Sequence, residues 1–164
     1  QLTIPQNIQN QFYEGFTIDF IIELADIVSD QCILSVKCEN GKTIELKTRD
    51  YGSVEINRND GLQTSKWDSD PGWIKPYGTN CIAVTVDSRS RIIQFVVNGI
   101  VSNGRDFRQY GWTHFKSNMM DIDFKNIQLG ELAKSGDRPL RRLLNLRIYN
   151  RALMNSEIII TLLF

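Results

Sequence analysis

The sequence predicts an all-β fold, a sandwich or a barrel of about nine or ten short strands. Three observations carry this. The chain holds 20 Ile and 8 Val against 4 Ala. Ile and Val are stiff at χ1 and suit pleated surfaces, whereas Ala is the best helix former. Apolar and polar residues alternate with period two through most of the length, with no sustained helical period. Tight-turn dipeptides separate these runs: Asn40-Gly41, Asp60-Gly61 and Asn98-Gly99.

The elements follow in order. Phe16–Ala25 alternates, with Phe16, Ile18, Phe20, Ile22 and Leu24 on one face. Cys32–Cys38 places Cys32, Leu34, Val36 and Cys38 together, and Asn40-Gly41 turns into Lys42–Arg49. Val54 and Ile56 mark a short strand. From Thr64 to Thr79 the pattern lapses into a long structured loop with two prolines, two glycines, Trp67, Trp73 and Tyr77. Strands resume at Cys81–Asp87 and Arg91–Asn98, and Asn98-Gly99 is the strongest hairpin signal. A second irregular stretch, Asn103–Asp123, precedes strands at Asn126–Leu132 and Arg141–Tyr149, the last with Leu144, Leu146 and Ile148 alternating. Asn155-Ser156-Glu157 suits a helix cap, although IIITLLF reads equally well as a strand. The runs RIIQFVVN and FTIDFIIEL are apolar on both faces, which fits central strands of a two-sheet sandwich under an extra covering layer.

Length and charge bound the function. The 164 residues make one domain, 1–164, with 41% hydrophobic residues for a core. Nineteen basic residues balance nineteen acidic ones. A neutral chain argues against nucleic acid or an anionic membrane as partner. No apolar run approaches the roughly 20 residues of a membrane helix. The chain opens on Gln1 without a signal-peptide pattern, which reads as a cut end. Of the three cysteines, Cys32 and Cys38 are about 20 Å apart in one extended strand, so only Cys81 could bridge to either. Buried free thiols are the simpler expectation.

Three patches carry a family resemblance. Cys81–Gly104 (CIAVTVDSRSRIIQFVVNGIVSNG), Leu146–Ile158 (LRIYNRALMNSEI) and the opening Leu2–Phe20 are similar to the core hairpin, closing motif and first strand of bacterial laminin-G-like (LamG-type) domains. These belong to the concanavalin A-like lectin/glucanase superfamily. The resemblance spans nearly the whole chain. It implies a two-sheet antiparallel jelly-roll sandwich. It also implies a non-catalytic carbohydrate-binding or accessory module of a larger exported bacterial protein. Such modules often stand beside glycoside hydrolases, sialidases or adhesin-like segments, at an extracellular, cell-surface or periplasmic location.

Catalysis finds little support. Glucanases of that superfamily carry E-x-D-x-(x)-E on a strand, which sets carboxylates on one face about the scissile bond. The nearest matches, Asp121 with Asp123 and Asp19 with Glu23, lack the pattern. A solvated strand face explains them better. The single His114 has no nucleophile placed beside it. The positive signal is the aromatics. Trp67, Trp73 and Trp112, with Tyr77 and Tyr110, all fall in the two irregular stretches. Sugar C–H faces pack on such rings while polar neighbours bond the hydroxyls. Asp68, Asp70, Lys75, Arg105, Arg108 and Gln109 supply a polar fringe, and His114 reads as a structural or binding-loop residue rather than a general base. Against this, loop aromatics also plug the ends of sandwiches, the favoured role for Trp112. Calcium, which wants six to eight oxygens, has candidate ligands in Asp68 and Asp70, with Asp26 and Asp30 in another loop. The expected partners are a glycan or polysaccharide and neighbouring domains. Two other readings stay open: a glycoside hydrolase domain, and an interaction or packing domain that binds no sugar.

Overall fold

Alternating apolar side chains build two antiparallel sheets that bury their facing sides against each other. The computed structural model describes residues 14–24, 29–38, 41–59, 61–115, 126–130 and 140–163. The strands are β1 (Gly15–Leu24), β2 (Cys32–Lys37), β3 (Thr43–Arg49), β4 (Ser53–Asn59), β5 (Thr64–Asp68), β6 (Gly78–Asp87), β7 (Ile92–Val97), β8 (Ile100–Val101), β9 (Thr113–His114), β10 (Asn126–Leu129) and β11 (Leu140–Tyr149), followed by the helix α1 (Asn155–Leu163). One sheet runs β11-β1-β6-β7-β8, with β9 also paired to β7; the other runs β10-β2-β3-β4-β5. This is the expected jelly-roll sandwich with its short terminal helix. No helix among the described residues is long and apolar enough to cross a membrane.

The core is the predicted one. Phe16, Ile18, Phe20, Ile22 and Leu24 of β1 face Leu34, Val36, Ile44, Leu46, Val54 and Ile56 of the second sheet, all buried. Arg58, on the same face of β4 as Val54 and Ile56, is also buried, with its guanidinium 5.4 Å over the ring of Phe115.

Two register details depart from simple alternation. β2 is irregular between Cys32 and Leu34, so Ile33 and Leu34 are both buried and Cys32 leaves the face it was expected to share. It lies instead beside Glu45 and Lys47, on the outer side of the sheet. In β11, Ile21 pairs with Asn145 and Ile22 with Leu143. The skipped Leu144 is therefore exposed, and Leu143 takes its place against the core with Leu146 and Ile148. The three cysteines are free thiols on different faces: Cys38 is in the core and Cys81 lies near Asp19 and Arg147. Burial pushes the thiols of Cys32 and Cys81 up.

Strand limits shift where pairing outweighs composition. The loop expected at 64–79 begins with β5, because Ile56 pairs with Trp67 and Glu55 with Asp68. β6 starts early, at Gly78, because Leu24 of β1 extends opposite it. The second irregular stretch contains β9, where His114 pairs with Ile92. Asp26, Asn40, Asp60, Asp121 and Asp123 lie outside the described residues, as does the opening patch up to residue 13.

The covering layer expected over the doubly apolar strands is α1 and the turn before it. Ala83 and Val96, on the outer face, pack with Leu153 and Ile158. Thr17 on β1 anchors that turn: its hydroxyl donates to the Arg151 carbonyl at 2.9 Å and accepts from the Leu153 N–H at 2.9 Å. The cap differs from expectation. Met154 stands at the N-cap position, and Glu157 reaches back to its N–H at 3.1 Å, one half of a capping box. Asn155 points instead to Gln94.

Hydrogen bonds from the Arg151 side chain and then the Met154 N–H hold the Glu157 carboxyl down at about 2, from an ordinary 4.5. A carboxyl lowered on folding adds stability that is complete above pH 4.5 and lost as pH falls toward 2. Glu157→Gln should therefore lower Tm at pH 7, with the gap to the parent protein closing between pH 4.5 and 2. Thermal unfolding of both proteins across that range checks this, and parallel profiles would contradict it.

Candidate functional site

The edge strand β5 organises the aromatic residues. Trp67 turns its ring toward the core, and its Nε1 donates to the Gly111 carbonyl at 2.9 Å. The Arg108 guanidinium lies 3.7 Å over the same ring and donates to Asp68 Oδ1 at 2.8 Å and to the Asp68 carbonyl. Asp70 is buried. Its carboxylate accepts the N–H groups of Asn103, at 2.9 Å, and Gly104, at 3.1 Å, and stands 3.6 Å from Arg108. The chain from 102 to 114 is thus stapled along β5. Two close approaches require glycine here: a Cβ on Gly104 would lie 2.3 Å from the Arg108 carbonyl oxygen, and one on Gly111 would lie 1.9 Å from that of Ser102.

This stapling raises a strip of rings. Tyr110 and Trp112 stack at 4.8 Å with an interplanar angle of 25°, and His114 meets Trp112 edge-on at 5.0 Å. The stack covers one face of each ring and fixes both. Tyr110 is still 49% exposed, and Trp112 is half-buried. At the His114 end the strip borders a groove of about 360 Å³ walled by Gln63, Thr64, Ser65, Lys66 and Thr113. Apolar rings beside hydroxyl, amide and ammonium groups are the composition that grips a saccharide.

The other expected residues fall elsewhere. Trp73 is half-buried under the Arg105 guanidinium, 4.3 Å from its ring, and its carbonyl accepts from Asn98 Nδ2 at 3.1 Å. Asn98 Nδ2 also donates to Asn80 Oδ1, which accepts the Lys75 N–H as well, so an amide network anchors this loop. Tyr77 is 78% exposed and makes no ring contact with the other described aromatics. The structure therefore unites Tyr110, Trp112 and His114, gives Trp67, Asp68 and Asp70 a supporting role, and leaves Trp73 and Tyr77 apart. The groove wall of β5 escaped sequence reasoning because TSKWD has a single apolar residue and reads as loop. The flanking turns at Asp60-Gly61 and Pro71-Gly72 were the available signal.

Carboxylates proposed for other chemistry are engaged. Asp19 is buried beside Arg147, Nη2 to Oδ2 at 2.6 Å; burial pushes its carboxyl up against the pull of that guanidinium. Asp30 pairs with Arg49 at 2.6 Å and Lys47 at 3.5 Å. Among the described residues no three His, Cys, Asp or Glu side chains gather into a metal-holding group. The oxygens of Asp68 and Asp70 face Arg108 and backbone N–H groups.

No family model and no curated relative matches the chain. Solved structures do. The chain superposes on the CBM40 of the Ruminococcus gnavus IT-sialidase bound to α2,3 sialyllactose with a TM-score of 0.67, at 20% identity, covering 92% of this chain and 84% of that one. The shared architecture is an antiparallel jelly-roll sandwich. The leech intramolecular trans-sialidase, in complex with 2,7-anhydro-Neu5Ac, matches with a TM-score of 0.65 at 18% identity, over 91% of this chain and 23% of that one. The binding domain of botulinum neurotoxin DC, in complex with rat synaptotagmin II, matches with 0.65 at 16% identity, over 97% and 38%. At these identities the likeness is one of fold.

The staple makes a prediction. Asp70→Ala removes the acceptor of the Asn103 N–H and leaves the buried Gly104 N–H without one, at a cost of about 1–3 kcal/mol. Urea unfolding should show that loss. Tyr110–Trp112 should also lose their near-ultraviolet circular dichroism, since the segment carrying them is released.

Proposed function

We propose that this domain is a non-catalytic, LamG-type carbohydrate-binding module of a larger exported bacterial protein, acting outside the cytoplasm. The strip Tyr110–Trp112–His114 beside the β5 groove carries this reading. An exposed pair of stacked rings costs solvation unless something covers it, and a pyranose ring both covers it and finds hydroxyl partners in Thr64, Ser65 and Gln63. The staple holds the rings in place before ligand arrives, which cuts the ordering cost of binding. One structural neighbour supports the reading through its bound saccharide, the Ruminococcus gnavus module with α2,3 sialyllactose. The position of Asp19 supports the non-catalytic part, since a carboxylate 2% exposed and closed over by Arg147 is out of reach of a substrate.

One observation favours an additional contact with a neighbouring domain: Met154 and Ile160 of the helical layer are exposed. They lie on the covering layer rather than on β5, so the two roles are compatible.

Binding is tested on a glycan array and then by titration with the best saccharide. Trp112→Ala and Tyr110→Ala should each weaken it at least tenfold, about 1.4 kcal/mol, with Tm nearly unchanged. Binding unaffected by either substitution, or no binding across the array, would overturn this reading. Incubation with the same saccharide should release no new reducing ends.

A further inference from the structure

We propose that a second cleft, between the β3–β4 turn and the 104–108 loop, is a separate saccharide subsite that takes an uncharged sugar and turns away an acidic one. It encloses about 280 Å³ and is lined in part by Arg49, Asp50, Tyr51, Ser53, Phe107 and Arg108. None of its ring residues belongs to the Tyr110–Trp112 strip.

Tyr51 is the first pointer. It occupies the turn between Arg49 and Ser53 with φ of 61°, followed by Gly52 at 69°. A bulky residue is a genuine outlier there, where Gly or Asn would sit without strain. The fold gains little from the ring, since Tyr51 is 85% exposed. The backbone alone is used structurally: the Tyr51 carbonyl accepts the Gly72 N–H at 2.7 Å. A strained position that keeps an exposed aromatic ring points to a role beyond folding. Phe107, 67% exposed, supplies a second ring to the same cleft. Its loop is closed by the Phe107 N–H on the Gly104 carbonyl at 3.0 Å and by the Asp70 staple. Two rings on pinned turns, with the Asp50 carboxylate in the lining, offer stacking faces and a hydroxyl acceptor to a pyranose, while the buried Ser53 hydroxyl holds the turn by donating to the Asp50 carbonyl at 3.1 Å.

The charges decide which sugar. Both guanidiniums in the cleft are already shared. Arg108 serves Asp68 and Asp70, and its plane covers Trp67. Arg49 serves Asp30, with Lys47, and also Glu55. Asp50 adds a further carboxylate to the lining. An entering carboxylate would meet no uncommitted cation and would face Asp50 and Asp68 as like charges, whereas a hydroxyl-bearing ring meets acceptors it can donate to. The selectivity is therefore for a neutral hexose, in contrast to the sialylated ligand of the Ruminococcus gnavus module.

The experiment is amide-shift mapping on the uniformly ¹⁵N-labelled domain. The probes are neutral hexasaccharides of hexoses (cello-, malto- and mannohexaose) and, separately, 3′-sialyllactose and digalacturonic acid. At least one neutral probe should shift amides at 50–53 and 104–108. The shifts should persist from low to high salt, since no ion pair forms. Tyr51→Asn, which suits the turn, and Phe107→Ser should each weaken that response at least tenfold, while Trp112→Ala leaves it intact. The acidic probes should bind there at least tenfold more weakly. No response at 50–53 to any neutral probe overturns the subsite, even if the Tyr110–Trp112 strip responds. An acidic probe binding the cleft as well as a neutral one overturns the selectivity. A cleft response with a silent strip would leave this proposal standing and remove the one made for the strip.

Discussion

The buried carboxylate of Asp70 is the interaction on which the functional surface depends. It sits just after β5 and takes the N–H groups of Asn103 and Gly104, two residues beyond β8. The Gly104 N–H would otherwise be buried without an acceptor. Capture of both donors decides where the whole segment from 102 to 114 runs. Arg108 then lands on Trp67 and between Asp68 and Asp70, and Gly111 meets Trp67 Nε1. Every exposed ring of the strip, and Phe107 at its other end, inherits its position from that carboxylate. Both of its oxygens are committed to protein donors, the Asn103 and Gly104 N–H groups, with Arg108 close by.

How much of this was legible in the sequence depends on whether the signal was local. The inward faces of β1, β6 and β7 were legible because alternation is a property of each strand by itself. Asn98-Gly99 was legible because both residues accept positive φ, and they show φ of 51° and 79°. The bulges that expose Leu144 and turn Cys32 outward were not, since they depend on the partner strand's register. β5 was not legible for the same reason. Its residues have weak strand character, and pairing with β4 makes them a strand. In the site, the concentration of aromatics in two irregular stretches was visible, but their grouping was not. Trp67 and Trp112 belong to different stretches and meet through one backbone carbonyl, Gly111. Tyr51 was not legible, because a turn of three residues shows nothing until its φ is known.

The helical layer shows a comparable economy. Strands with apolar residues on both faces cannot end a domain at an open sheet, because the outer apolar face would remain in water. The chain solves this after β11 by turning at Thr17, which accepts and donates one hydrogen bond each to the passing backbone. Ile158 then closes over Ala83 and Val96. The sandwich is therefore three layers deep on that side, and the saccharide surfaces proposed here are confined to the β5 side and the adjoining turns.

That confinement follows from edge-strand physics. β5 ends its sheet, and an open strand edge invites pairing with another chain. A further long strand would only pass the open edge on to itself and would also flatten the surface. The segment 102–114 covers it irregularly, with side-chain bonds to Trp67 and Asp68 and a pair of close-packed glycines. Irregular cover leaves gaps at both ends: the groove at Lys66 and His114, and the cleft at Tyr51 and Phe107. The same residues that protect the edge therefore create the two concavities. A substitution that regularised the segment, such as Gly111→Val, would force it off Ser102 and lose the protection and the concavities together.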